Sequence, residues 1–80
     1  MNESGVTAAV AAIWSHILQR DIGGETDEDF FALGGSSLTA IELLAQVERT
    51  FGVDMGIAEL YASPTVRGVA QRICQSIEDR

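Results

Sequence analysis

Eighty residues allow one small domain, and the twelve acidic side chains against five arginines give a net charge of −7 that excludes nucleic acid and anionic membranes as partners. The single cysteine, Cys74, excludes an internal disulfide and a secreted, disulfide-stapled fold, which favours a cytoplasmic protein. No apolar run is long enough to cross a bilayer, and the N-terminus lacks a signal-peptide pattern, so we expect no membrane segment.

The first predicted element is an amphipathic helix from Val6 to Leu18. Its apolar residues recur at helical spacing: Val6, Val10, Ile13, Trp14, Ile17 and Leu18. The next stretch, residues 21–29, is polar and contains Gly23-Gly24, Glu25, Thr26 and the acidic run 27–29. Such a stretch cannot bury itself, so it predicts a long connection that Phe30 and Phe31 pin to the core.

The second predicted helix begins at Ser36 or Ser37 and runs to about Phe51, where Gly52 stops it. Its expected core face consists of Ala40, Leu43, Leu44, Val47 and Phe51. A second row, formed by Leu38, Ile41 and Ala45, lies beside charged positions, and we expect this row to reach the surface.

Residues 52–56 predict a loop, and Ile57–Tyr61 is long enough for only about one turn of helix. A last helix follows Pro64, with Ser63 or Thr65 as its cap and a frayed tail over residues 78–80. Its apolar stripe contains Val66, Val69, Ala70, Ile73, Cys74 and Ile77. The predicted fold is therefore an all-α bundle of three main helices plus one short helix, with a core spanning about residues 6–78.

The residue types and their spacing give little support for a catalytic site or a metal site. Cys74 falls on an apolar stripe and His16 on a polar helix face, where a buried thiol and a solvated imidazole are the ordinary interpretations. One cysteine and one histidine cannot form a structural zinc site. A calcium loop starting at Asp27 would put Ala32 and Leu38 where glycine and glutamate belong. A serine hydrolase would lack a base.

The segment Gly34-Gly35-Ser36-Ser37 has two interpretations. It matches no nucleotide-binding glycine pattern, since no lysine follows. The glycines could give a partner close access to the two hydroxyls, where the positive end of the helix dipole would tolerate an attached phosphate. Alternatively, the segment serves only as a turn and a helix cap.

Three segments in this order and spacing resemble the carrier proteins, specifically the peptidyl carrier proteins of nonribosomal peptide synthesis. They are Ile13-Trp14, residues 29–38 (DFFALGGSSL) and residues 60–66 (LYASPTV). The resemblance implies that a phosphopantetheinyl transferase moves 4′-phosphopantetheine from coenzyme A, with magnesium, onto Ser37. The thiol of this arm would hold aminoacyl or acyl groups as thioesters during nonribosomal peptide or hybrid peptide–polyketide biosynthesis, so the chain would be a carrier and not an enzyme. Gly34-Gly35 favours a peptidyl over a fatty-acid carrier and leaves a polyketide-type carrier as an alternative.

The resemblance also implies a set of partners. They are the transferase, an adenylation enzyme, condensation or tailoring enzymes, and a thioesterase, all contacting a monomeric carrier. The expected partner-binding residues are Gly35, Ser36, Leu38, Ile41, Glu42, Ala45 and Tyr61, with Glu42 orienting a basic side chain of the partner. Many relatives have Asp or His before the modified serine, where this chain has Ser36.

Two further expectations concern whether the carrier stands alone and what its alternative function would be. Because it opens with Met1 and ends soon after the last predicted helix, we expect a stand-alone carrier, although an excised piece would look alike. The alternative to a carrier is an unmodified acidic adaptor that binds a partner through the flank of the second helix.

Overall fold

The computed structural model describes residues 2–23 and 27–79, and within them the chain folds into four α-helices. These are α1 (Glu3–Leu18), α2 (Ser37–Phe51), α3 (Ile57–Ala62) and α4 (Val66–Glu78). The all-α fold predicted from the sequence is confirmed. Part of the predicted connection, residues 24–26, and the terminal Met1 and Arg80 lie outside the described residues.

Capping side chains set the residues at which α1 and α4 begin. α1 begins three residues before the predicted Val6, because the Asn2 side chain accepts a hydrogen bond from the Gly5 N–H (2.8 Å). At α4 the cap is Thr65, not Ser63, and its hydroxyl accepts from the Gly68 N–H at 3.0 Å. Since α4 includes Glu78 and Asp79 still donates to the Gln75 carbonyl, this helix also extends past its predicted end.

The core lies where α1 packs against α4 and α2. The predicted core face of α2 is confirmed, with Leu44 half-buried and the other four residues buried. Fully buried side chains come from all four helices and include Trp14, Leu43, Leu60 and Ile73. Val53 and Met55 are also buried, although the sequence predicted only a loop there. No described helix meets the length and hydropathy needed to span a membrane.

Candidate functional site

Ser36 and Ser37 lie at the start of α2 but have different roles there. Ser36 is the N-cap: its hydroxyl accepts from the Thr39 N–H (3.3 Å), while the Thr39 hydroxyl accepts from the Ser36 N–H (2.7 Å). This reciprocal capping box fixes the Ser36 side chain against the helix. Ser37 is the first helical residue and is exposed, so its hydroxyl faces solvent beside the capped turn.

The segment before the serines is a compact turn held by backbone hydrogen bonds. The Phe30 N–H donates to the Pro64 carbonyl (2.7 Å), which ties the segment to the turn between α3 and α4. The Gly35 N–H returns to the Phe30 carbonyl (3.0 Å), and an Arg20 guanidinium N–H donates to the Leu33 carbonyl (2.9 Å). The position of Ser37 is thus set by contacts from three parts of the chain.

A row of aromatic rings connects the core to the two serines. Trp14 meets Phe30 edge to face, with ring centroids 5.0 Å apart, and Phe30 meets Phe31 in the same way at 5.4 Å. Phe31 then stacks on Tyr61 of α3, with centroids 5.1 Å apart and planes 11° apart. This row brings the Tyr61 hydroxyl within 3.4 Å of Ser37 Oγ, although the residues are 24 positions apart.

The predicted second row of α2 reaches the surface. Leu38 is 78% exposed and Ile41 is 61% exposed, and Glu42 and Ala45 are exposed beside them. Tyr61 (51%) adds exposed apolar area from α3. Ile57, at the start of α3, is 39% exposed and was not predicted as part of this surface. Its signal in the sequence was a large aliphatic residue directly after the helix-starting Gly56.

Gly35 is the predicted partner-binding residue with the least access to solvent. It is half-buried, and a Cβ added there would meet the Phe30 ring. Its lack of a side chain therefore serves internal packing. Gly34 is exposed, and its φ of 107° is a backbone conformation that side-chain-bearing residues rarely adopt. The role of these glycines in partner access stays a prediction.

The start of α2 fits a covalently attached phosphodiester. The N–H groups of Ser37 and Leu38 belong to the first turn, where amides lack intrahelical acceptors, and no acidic side chain occupies that turn. An anion on Ser37 Oγ would therefore lie near the positive end of the helix dipole without a carboxylate in that turn. In the part of the chain that the structure describes, no histidine, cysteine or acidic cluster could hold a metal ion.

Cys74 lies on α4 and His16 on α1. Cys74 is half-buried against the core, and burial raises the pKa of its thiol above the ordinary value, with the carboxylates of Glu3 and Glu78 adding to this effect. A raised pKa disfavours the nucleophilic thiolate. His16 is exposed in the last turn of α1.

The sequence of the chain matches one protein-family model and short segments of much longer proteins. Residues 8–73 match the family model described as a phosphopantetheine attachment site. Surfactin synthase subunit 1 of Bacillus subtilis (strain 168) is 40% identical over 73 residues, which cover 91% of this chain. Pyochelin synthetase PchE of Pseudomonas aeruginosa is 39% identical over 71 residues, or 88% of the chain. The chain spans only 2% and 5% of the lengths of these two relatives.

Solved structures share the fold over most of their length. A peptidyl carrier protein in complex with the phosphopantetheine transferase Sfp and coenzyme A has a TM-score of 0.83 and 33% identity; the match covers 88% of this chain and 90% of that one. BlmI, a type-II acyl carrier protein of Streptomyces verticillus involved in bleomycin biosynthesis, has a TM-score of 0.85 and 33% identity. That match covers 94% of this chain and 89% of BlmI.

Proposed function

The chain belongs to the family of phosphopantetheine attachment domains, and we propose that Ser37 is the residue that bears its 4′-phosphopantetheine. The family binds this group covalently, so the chain is a carrier and not a catalyst. We further propose that residues 1–80 form one carrier domain, and that its cargo consists of aminoacyl or related acyl groups in nonribosomal peptide synthesis. The two relatives with 39–40% identity are a surfactin synthase subunit and a pyochelin synthetase, which supports this cargo class.

The observation that carries the assignment of Ser37 is the difference between the two serine hydroxyls. Ser36 Oγ accepts the Thr39 N–H and the Thr39 hydroxyl returns to the Ser36 N–H, so esterifying Ser36 would disturb the cap of α2. Ser37 is exposed, and among the described residues its Oγ has one long contact, 3.4 Å to the Tyr61 hydroxyl. A transferase can therefore reach Ser37 without breaking the hydrogen bonds that start the helix.

In the attachment reaction Ser37 is the acceptor. Its Oγ forms a bond to the phosphorus that bears the pantetheine, while the pyrophosphate P–O bond of coenzyme A breaks and adenosine 3′,5′-bisphosphate leaves. The hydroxyl proton passes to a base on the transferase, since the capping groups beside Ser37 are neutral hydroxyls. When bound, the group supplies a terminal thiol that holds acyl cargo as a thioester.

The partners of the carrier would bind the exposed apolar surface beside Ser37. A related peptidyl carrier protein of known structure is bound to a phosphopantetheine transferase, which supports a transferase as the first partner. We propose that an adenylation enzyme, condensation or tailoring enzymes and a thioesterase use the same surface in turn. Leu38 and Ile41 present small apolar areas next to the charged Glu42, a composition suited to transient contacts.

The assignment is tested by mass spectrometry of the intact chain. Incubation with a broad-specificity phosphopantetheinyl transferase, coenzyme A and magnesium is expected to add the mass of one arm. Ser37→Ala is expected to abolish this gain, whereas Ser36→Ala is expected to keep it. A gain that survives in Ser37→Ala and disappears in Ser36→Ala would move the attachment to Ser36, and no gain in the native chain would refute the proposed function.

A further inference from the structure

Tyr61 lies next to the hydroxyl that we assign to the arm, and its own hydroxyl has no structural task comparable to that of Ser36. We propose that Tyr61 is a positioning residue: its hydroxyl donates a hydrogen bond to the phosphodiester formed on Ser37 and so directs the arm along the α2–α3 surface. This inference rests on the proposed attachment at Ser37. It concerns the orientation of the arm, not its attachment.

The ring of Tyr61 is held firmly enough to act in this way. It stacks face to face on Phe31, with ring planes 11° apart, and Phe31 packs on the buried Phe30. The Phe31 N–H donates to the Asp29 carboxylate (2.7 Å), and the Phe30 N–H donates to the Pro64 carbonyl just beyond α3. Phe31 is thus fixed, and the stacking of Tyr61 on it gives the phenol oxygen a defined place beside Ser37.

The proton of the Tyr61 hydroxyl is available for a better acceptor. Its distance to Ser37 Oγ, 3.4 Å, is longer than the usual O–H···O hydrogen bond of about 2.7–2.8 Å. Esterification removes the proton of Ser37, so only Tyr61 can then donate between the two groups. The non-bridging phosphate oxygens are two bonds from Oγ and carry negative charge, which makes them stronger acceptors than a serine hydroxyl.

The four arginines within the described ranges make no equivalent contact with Ser37. Arg20 donates to the Leu33 carbonyl, Arg67 pairs with Asp27 and Arg72 pairs with Glu59. Arg49 lies in the last turn of α2, at the end opposite Ser37. Among the residues that the structure describes, the Tyr61 hydroxyl is the side-chain group in contact with Ser37 Oγ. The arm of this acidic chain would thus be oriented by a neutral donor.

The experiment compares the arm-bearing native chain with arm-bearing Tyr61→Phe, which keeps the ring stacked on Phe31 and removes only the oxygen. Intact mass first confirms one arm on each protein, and the ³¹P resonance of the phosphodiester is then recorded. We expect the ³¹P resonance to differ between these two proteins by more than its linewidth. The control Thr50→Val, which removes an exposed hydroxyl at the far end of α2, is expected to match the native chain.

A second measurement observes the tyrosine itself. The chain contains one tyrosine, so labelling with ¹³Cζ-tyrosine gives a single resonance that reports on the Tyr61 hydroxyl. This resonance is expected to move when the arm is attached and to stay in place when Ser37→Ala is treated in the same way. Equal ³¹P resonances in loaded native chain and loaded Tyr61→Phe would overturn this inference alone. Failure of the native chain to gain an arm would overturn the proposed function, and this inference with it.

Discussion

Gly34 and Gly35 are neighbours, but different physical causes require glycine at each position. Gly34 has a φ of 107°, and a Cβ there would meet nothing within 4 Å, so the constraint lies in its backbone conformation. Gly35 has an ordinary backbone conformation, but its missing side chain leaves the space that the Phe30 ring occupies. The sequence showed only that two glycines preceded the serines, because ring packing depends on the folded position of Phe30.

Gly35→Ala is expected to lower the free energy of unfolding by about 1–3 kcal/mol, because the new methyl group would press on the Phe30 ring and lie 2.7 Å from the Phe30 carbonyl oxygen. Urea denaturation followed by circular dichroism measures this change. Gly23→Ala is the matched control, since a Cβ there would meet nothing within 4 Å. Equal denaturation midpoints for both variants would contradict the packing role of Gly35.

Ser36 is expected to tolerate replacement by aspartate. Ser36→Asp keeps a side-chain acceptor at the N-cap of α2 and adds a negative charge at the positive end of the helix dipole, so its thermal midpoint should equal or exceed that of the native chain. Ser36→Ala removes the cap and should cost about 1 kcal/mol. An aspartate variant as unstable as the alanine variant would contradict the replacement of the serine cap by a carboxylate, and an alanine variant as stable as the native chain would show that the cap contributes little.

Because α2 has one exposed and one buried face, the proposed role of the helix in recognition can be tested separately from its role in stability. Leu43 is fully buried, so Leu43→Ala should destabilise the fold by about 2–5 kcal/mol. Ile41 is 61% exposed, so Ile41→Glu should change the free energy of unfolding by only about 0.5 kcal/mol. If Ile41 contacts the transferase, this same variant should lower kcat/KM for arm attachment by about fivefold or more.

Comparing Ile41→Glu with native chain in both assays decides whether this surface takes part in recognition. Unchanged kcat/KM with unchanged stability would exclude Ile41 from the transferase contact. A loss of kcat/KM accompanied by a lower denaturation midpoint would instead point to damage of the fold. Glu42→Gln, at an exposed position next to Ile41 on the same helix, tests the predicted charged contact without adding apolar area.

The helices could be predicted from the sequence where apolar periodicity is strong, as in the core faces of α2 and α4. The first turn of α1 was missed because residues 3–5 carry no apolar side chain, and its start depends on the Asn2 cap. Val53 and Met55 were missed because Gly52 and Gly56 indicated a loop. The alternation of these two apolar residues with Asp54 was the available signal, since the structure buries both and leaves Asp54 exposed.

The approach of Tyr61 to Ser37 arises from the fold as a whole. It requires the connection before α2, the turn after α3 and the core aromatics to meet, and the Phe30–Pro64 backbone hydrogen bond joins the first two. The resemblance predicted both residues as part of one surface, but the contact between their hydroxyls depends on the stacking of Tyr61 on Phe31. Such a contact has no local signal in the sequence, because 24 positions separate the two residues.

The packing of α4 into the core makes Cys74 a reporter on the folded state. Burial, with Glu3 and Glu78, raises the pKa of this thiol above its ordinary value of 9.0, so the folded chain holds less thiolate at neutral pH. Because the pKa is higher in the folded chain than in the unfolded chain, the neutral thiol adds to the free energy of unfolding below about pH 9. This contribution is lost as the pH rises through the folded-state pKa. Thermal midpoints measured from pH 7 to 10 should therefore fall more in the native chain than in Cys74→Ala.

The arm adds a second thiol, which should differ from Cys74 in reactivity. The proposed attachment residue, Ser37, is exposed, so the thiol of the arm should react quickly with iodoacetamide at pH 7.5, and Cys74 should react slowly until urea unfolds the chain. Intact mass over time should then show two phases in the arm-bearing protein. Cys74→Ala should remove the slow phase, and Ser37→Ala should lack the fast phase. A native Cys74 that reacts as fast in buffer as in urea would contradict its protection by the core.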